Sequence, residues 1–340
     1  MPTLKRSHRN EPLVSILIPA YNAEKWIADT LRSAIAQTWE PKEIIVVDDG
    51  STDGTLAVAK QFESSNLRVV TQENQGAAAA RNKAFSLCQG DFIQWMDADD
   101  LLAPDKISKQ LDELDRLPSR RTLLLSAWGK FLHWHHRAQF VPTSLWRDLS
   151  PREFLYHKMM DNVFMQTATW LVSRELTEAA GPWDTRLLGD DDGEYFCRVL
   201  LASDGTRFVP EARVYYRSHA AASLSYVGHS PTKIEAHWLS MQLHIKYLQS
   251  LEDSERTRSA CLKYLQRGLI HFYAERPDLL RQVEKLAKDL DGELQVPRLS
   301  WKYAWIQTLF GWRSAVRTQD WLRTLRWSVQ TFFDRVVFFR

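Results

Sequence analysis

Three carboxylates, Asp97, Asp99 and Asp100, follow one another at the end of an apolar run. Like charges held that close repel, and a hard divalent cation relieves the repulsion. The segment Trp95-Met96-Asp97-Ala98-Asp99-Asp100 therefore reads as a site for Mg²⁺ or Mn²⁺ on Asp99 and Asp100, where the cation would bridge a diphosphate and neutralise a leaving group. A solvated acidic turn is the plain alternative. A second cluster, Gly189-Asp190-Asp191-Asp192-Gly193-Glu194, falls where a helix over 191–202 would begin, and the helix dipole stabilises carboxylates there. The same dipole can orient one of Asp190, Asp191 and Asp192 toward a site. Charge complementarity at a helix start accounts for any one of these acids but not for all three.

The elements that must position these acids show in the first hundred residues as short apolar runs alternating with helical spacing. Val14–Ile18, Glu43–Asp48, Leu67–Thr71 and Phe92–Asp97 read as strands, with helices near 24–37, 54–63 and 77–88. That is the pattern of a parallel sheet with crossover helices, in which ligands bind beyond the carboxyl ends of the strands. The first end is Pro19-Ala20-Tyr21-Asn22, whose amides and ring suit a flat base. The second is Asp48-Asp49-Gly50-Ser51-Thr52-Asp53-Gly54, where Ser51 and Asp53 read as helix caps and Asp49 as a ligand contact. Next comes Gln75-Gly76 and an alanine run leading to Arg81, a cation read as facing a diphosphate.

Beyond Asp100 the alternation is lost. Pro104 opens a helix to about Leu117, and Leu123–Gly129 and Lys130–Val141 read as a mixed or antiparallel pair. Thr167–Ser173 and Arg207–Tyr216 read as strands, and from about His229 the pattern is helical, interrupted near Pro277 and Pro297. Three units result, 1–112, 113–228 and 229–340. Trp170, Trp183 and Asp184 flank the second acidic cluster, and aromatic faces make platforms for sugar C–H surfaces, although core packing explains them as well.

Composition narrows the class. With 340 residues, 44% hydrophobic and 25% charged, the chain buries a core. A formal net charge of +2 argues against a nucleic-acid partner. Cys88, Cys197 and Cys261 lack any Cys-x-x-Cys spacing, and no apolar segment opens the chain, so a reducing, cytoplasmic location is expected.

Taken together, the Pro-Ala-Tyr-Asn strand end, the Asp-Asp-Gly-Ser-Thr-Asp-Gly turn and the Asp-x-Asp strand end resemble family 2 glycosyltransferases over roughly residues 13–226. The resemblance implies an α/β GT-A fold, a mixed sheet flanked by helices, here with a C-terminal helical extension. Residues 1–112 would then be the nucleotide-sugar half and 113–228 the acceptor half. It implies transfer from a nucleotide-diphosphate sugar, UDP favoured, with inversion at the anomeric carbon. It places Ala20 and Tyr21 near the base, Asp49 at the base, Asp97 at the ribose and Asp99 at the metal. The donor side is thus Pro19, Ala20, Tyr21, Asn22, Asp49, Gly76, Arg81, Asp97 and Ala98. The family's Glu-Asp followed six residues later by Arg matches Asp191-Asp192 with Arg198, Asp standing where Glu is usual. That points to Asp192, with Asp191 as the alternative, as the general base, the group that takes the proton of an attacking hydroxyl. A GT-A-like binder without catalysis would have lost acids from one cluster, and both are intact. A nucleotidyltransferase would carry a Gly-rich phosphate loop after its first strand, and Pro19–Ala23 offers none.

From 299 to 340 seven Arg or Lys face two Asp, interleaved with Trp301, Trp305, Trp312, Trp321 and Trp327. Leu322, Leu325, Val329, Phe332, Phe333, Val336 and Val337 share one helical face, with Arg323, Asp334 and Arg335 off it. Such a helix suits an anionic inner membrane leaflet, where a lipid-linked saccharide acceptor would be met, or equally a docking surface on protein.

Overall fold

The computed structural model describes residues 11–117, 119–218, 230–273, 276–297 and 301–337. Its strands are β1 (Val14–Ala20), β2 (Lys42–Asp48), β3 (Leu67–Thr71), β4 (Phe92–Trp95), β5 (Leu101–Leu102), β6 (Thr122–Phe131), β7 (Gln139–Phe140), β8 (Val172–Ser173) and β9 (Gly205–Arg217). The helices of the α/β body are α1 (Ile27–Ile35), α2 (Thr55–Lys60), α3 (Ala77–Leu87), α4 (Lys106–Leu111), α5 (Pro151–Asp161), α6 (Arg174–Ala180) and α7 (Asp191–Ala202). After them come α8 (Pro231–Leu251), α9 (Glu255–Phe272), α10 (Pro277–Asp289) and α11 (Trp301–Val337).

One sheet has the order β3-β2-β1-β4-β8 and the other β5-β9-β6-β7. β1 to β4 are parallel, and β1 is buried along its whole length because helices cover both faces of the sheet. The chain winds outward from β1 to β2 and β3, then returns to place β4 on the other side of β1. That reversal opens a crevice at the carboxyl ends of β1 and β4. The two halves interlock: β5 leaves the first to pair with β9, and β8 leaves the second to pair with β4.

Five sequence expectations change. The helix from Pro104 covers only Lys106–Leu111, followed by a 3₁₀ turn at Leu114–Arg116, and 130–141 is not one strand: Lys130 and Phe131 end β6, and Gln139–Phe140 alone pair back on it. The run 92–97 is a strand only to Trp95, and Asp97 to Asp100 form a turn closed by Asp100 N–H to Asp97 O at 3.3 Å. The run 167–173 is a strand only at its end. Gln166 Oε1 accepts from Ala168 N–H at 2.6 Å and Gln166 O accepts from Thr169 Oγ1 at 2.6 Å, which folds Thr167–Thr169 into a 3₁₀ turn. Finally, the C-terminal helical region has breaks beyond the two prolines. One is a capping box at Ser254, and another is Gly311, whose φ of 79° interrupts α11.

α8 packs on α7 and α9 on α5, so these helices are built onto the α/β body. On α11, Trp301, Trp305, Leu309, Phe310, Trp321, Leu325 and Val329 are exposed, whereas Ile306 and Ala315 are buried. The side chains of Arg323, Trp327, Phe332, Phe333, Asp334, Arg335, Val336 and Val337, and the 228/229 boundary, lie outside the described residues. Among the described residues no helix is long and apolar enough to cross a membrane.

Candidate active site

The crevice wall begins where β1 and β2 end. Asp49 N–H donates to Ala20 O at 2.8 Å, and Asn22, at φ 49°, accepts from Thr52 N–H at 2.8 Å and donates its own N–H to Ser51 Oγ at 3.0 Å. Ser51 therefore ties two loops together instead of capping a helix. These bonds fix Pro19 and Ala20 beneath an exposed Tyr21. Asp49 turns its carboxylate to the loop before α3. It is buried, with Oδ1 accepting from Gln72 Nε2 at 2.8 Å and Gln75 N–H at 2.9 Å, and Oδ2 accepting from Gly76 N–H at 2.8 Å. The physical reason is local: the loop into α3 has donors that need an acceptor, and Asp49 is the one within reach. Gly76 takes φ 89°, a conformation open to glycine, and its Cβ side looks onto empty space.

Arg81 likewise turns to internal partners. It is buried, donating through Nη2 to Asp97 Oδ1 at 2.7 Å and through Nη1 to Asp191 Oδ2 at 2.6 Å, with its guanidinium 4.4 Å from the Trp183 ring centre. It cross-links the two acidic clusters, with both terminal nitrogens given to carboxylates. Burial alone would weaken its charge, but Asp191, Asp97 and Asp192 outweigh that and hold it firmly protonated. The acids tell the complementary half of the story. Burial raises Asp97, Arg81 opposes, and Asp99 and Asp192 push it up again. Asp191 is pushed up to about 6 by burial, against Arg81, and by repulsion from Asp192 and Asp97. One cation does not neutralise this many carboxylates.

Asp100, expected at a metal, is fully buried and inward. Its Oδ1 accepts from Arg217 N–H at 2.8 Å and its Oδ2 from Gln166 Nε2. Burial and the neighbouring Asp99 and Asp97 hold its carboxyl well above the usual range. Arg217 also grips the backbone of Asp99, Nε to O at 2.9 Å, and lies against the Trp26 and Phe131 rings. Asp97 and Asp99 are the half-buried carboxylates of this turn, with Ala98 buried between them.

At the second cluster Asp190 adopts φ 57° at the start of α7, and its Oδ2 accepts from Ser240 Oγ of α8 at 2.5 Å. Burial would raise its pKa, but Lys158, His244 and Ser240 bring it below the usual carboxylate range. His244 is itself buried, which with Lys158 drives its pKa down to about 4 and leaves it neutral. One turn later Glu194 accepts from Arg198 Nε at 2.8 Å and from Tyr247 OH of α8 at 2.6 Å. Asp192, half-buried, accepts from Thr167 Oγ1 at 3.2 Å.

The aromatic residues expected on the acceptor side belong to the core. Trp183 stacks on Tyr195 at 4.0 Å and Trp170 on Phe196 at 4.5 Å, both tryptophans being 2% exposed. Trp183 also meets Trp95 of β4 edge-on at 5.1 Å and lies under Arg81, whereas Trp170 packs on Phe154 of α5. Asp184 is paired with Arg186 inside its own loop, at 2.6 Å. Sequence reasoning missed Gln166, Thr167, Arg217, Ser240 and Tyr247, the partners of the acids. None of them carried a signal in the sequence, since β9 holds Arg207 and Arg213 as well as Arg217.

Among the described residues no group of three or more His, Cys, Asp or Glu is gathered to hold a metal ion. Mg²⁺ and Mn²⁺ sites that carry a diphosphate use one or two carboxylates, the phosphates and water supplying the rest. Asp99, with Asp97 beside it and a surplus of negative charge around both, fits that donor set. Asp100 does not, since each of its oxygens already accepts an internal donor.

The architecture is a GT-A-like α/β fold, and S. aureus TarS 1–349, solved in complex with UDP-GlcNAc, shares it: TM-score 0.61 and 21% identity, covering 78% of this chain and 74% of that one. Residues 15–175 match the family model described as Glycosyl transferase family 2. Over that stretch the chain is similar to family 2 glycosyltransferases. It is 45% identical over 105 residues to TuaG of Bacillus subtilis (strain 168), named for teichuronic acid biosynthesis, covering 30% of this chain and 42% of TuaG. It is 29% identical over 165 residues to Escherichia coli WfgD, a UDP-Glc:alpha-D-GlcNAc-diphosphoundecaprenol beta-1,3-glucosyltransferase, covering 48% of this chain and 61% of WfgD. The chain thus spans less than two thirds of either relative's length.

Proposed function

We propose that the chain is an inverting glycosyltransferase that moves a sugar from a nucleoside-diphosphate donor to an acceptor hydroxyl in cell-envelope polysaccharide or glycolipid synthesis. The observation that carries this reading is the Arg81 bridge, which brings the strand-end acids and the helix-start acids to one guanidinium. A donor lying over Tyr21, Gly76 and Asp97 would have its anomeric carbon between the two clusters. Asp192 is the base of choice because Asp191 is committed to Arg81, while Asp192 takes one hydroxyl donor from Thr167. In a single in-line displacement Asp192 accepts the acceptor's proton and the nucleoside diphosphate leaves from the opposite face. Asp99, with Asp97, would hold Mg²⁺ or Mn²⁺, which when bound supplies charge neutralisation at the leaving diphosphate. UDP is favoured as the nucleotide, with support from the names of WfgD and of the TarS complex.

The acceptor in this reading is a glycan or lipid-linked saccharide at the cytoplasmic face of the membrane. The exposed Trp301, Trp305, Phe310 and Trp321, with Lys302 and Arg317 on the same helix, support peripheral contact with anionic lipid there. Isothermal titration with UDP, GDP, dTDP and CDP, each with and without Mn²⁺, tests the donor site. Mn²⁺-dependent binding of UDP is expected, and binding of none of the four would overturn the reading.

A further inference from the structure

With Trp170 and Trp183 in the core, the face on which an acceptor sugar would rest needs another origin. Beside the acids stands a second aromatic group. Trp128 and Phe164 lie with ring centres 5.0 Å apart, and Tyr216 meets Trp128 edge-on at 5.8 Å. Trp128, Lys130, Val214 and Tyr216 come from paired positions of β6 and β9, Trp128 opposite Val214 and Lys130 opposite Tyr216, so all four side chains share one face of the second sheet. Phe164 is 42% exposed while Trp128 is 7% exposed, so the outermost ring is backed by a buried one.

The position of this group is set by the same segment that holds the acids. Within 164–167, Gln166 donates to Asp100 and Thr167 to Asp192. On the β9 side, Tyr216 precedes Arg217, which donates to Asp100. Burial chiefly raises the Tyr216 phenol, and Asp100, Asp97, Asp99 and Asp192 add to it through space, which puts this ring within electrostatic reach of both clusters. Lys130 Nζ lies over the Trp128 and Phe164 rings at 5.6 and 5.9 Å from their centres. As an exposed, flexible side chain it is able to swing off them.

We propose that Phe164, backed by Trp128 and flanked by Tyr216, is the platform on which the acceptor's terminal pyranose stacks, its hydroxyl turned toward Asp192. A pyranose presents an apolar C–H face to such a ring and hydroxyls at its edge. Phe164 is three residues from Thr167, which donates to Asp192, and its exposed ring is continuous with the buried Trp128, so the aromatic face and the acid are tied to one segment. This rests on the glycosyltransferase reading and names the acceptor subsite within it.

The test is saturation-transfer NMR of the full chain with methyl β-D-glucoside, methyl β-D-galactoside and methyl N-acetyl-β-D-glucosaminide, beside UDP titrations of the same samples. Expected is saturation of the C–H protons on one face of a pyranoside, weakened about tenfold in affinity by Phe164→Ala and retained by Phe164→Tyr. UDP affinity and the thermal midpoint should be unchanged in both variants. Equal pyranoside signals in wild type and Phe164→Ala would overturn the proposal. So would silence from all three sugars with a wild-type chain that binds UDP. A pyranoside signal that depends on Phe164 in a chain that binds no nucleotide upholds the platform and counts against the donor reading alone.

Discussion

The acidic turn after β4 and the acidic turn before α7 distribute their carboxylates in the same way. Each has one acid held by a polar donor from another element, the fully buried Asp100 or the half-buried Asp190; one shared with Arg81, Asp97 or Asp191; and a third that is half-buried, Asp99 or Asp192. Like charges are kept together by giving each a different counter-partner. The anchors differ, however. Asp100 is held by Gln166 and Arg217 from the α/β body, whereas Asp190 is held by Ser240 of α8 and steadied by Lys158. The donor-side turn is complete within the α/β body, and the base-side turn depends on the C-terminal helices.

That comparison breaks most sharply at its half-buried acids. Asp192→Asn should lower kcat for transfer by about 10²- to 10⁴-fold, the range of a general base, with UDP affinity retained. Turnover close to wild type would end its assignment. Next in size is the shared cation. Arg81→Met leaves Asp97 and Asp191 without a partner in a buried setting, and urea unfolding should register a loss of about 3–5 kcal/mol.

The shared acids carry a pH signature. The Asp191 pKa rises from an ordinary 3.8 to about 6 on folding, so the folded state binds this proton more tightly than the unfolded one. Its contribution therefore favours folding below about pH 4 and is lost as pH rises through 6. Asparagine does not titrate. Urea titrations at pH 4 and pH 7 should show Asp191→Asn gaining on wild type by about 2 kcal/mol across that interval; a constant difference would contradict the cited cause. The smallest effect belongs to the C-terminal anchor. Ser240→Ala removes a donor to a charged acid and should cost about 1–2 kcal/mol of stability. It should also lower kcat severalfold while leaving the KM for donor untouched, and a change confined to donor KM would mean that α8 does not orient α7.

How much of this was legible follows from where each partner sits in the chain. β1 and β2 read directly, since strands buried on both faces are continuous apolar runs, and the end of the run at 92–97 located Asp97 and Asp99 although the strand stops at Trp95. The start of α7 at Asp191 was equally plain from its acids and spacing. The roles of individual acids were hidden because each depends on a donor far away in sequence: Gln166 for Asp100, Ser240 for Asp190, and Arg81 for two acids at once. Asp49 shows the same blindness at short range, for the loop donors that occupy it belong to residues 72–76. Trp170 and Trp183 were ambiguous by composition, as a tryptophan that braces a helix and one that stacks on sugar look alike without burial. The turn at 167–169 was taken for strand because its threonines favour β structure, and the Gln166 cap overrides that preference.

The most direct test of the division of labour between the two turns is Mn²⁺-dependent titration of UDP into Asp99→Ala and Asp192→Asn side by side. The account expects Asp99→Ala to lose the metal-dependent part of the affinity and Asp192→Asn to keep it. Equal affinity in the two variants, whether both lost or both retained, would contradict the separation of a donor-side turn from a base-side turn.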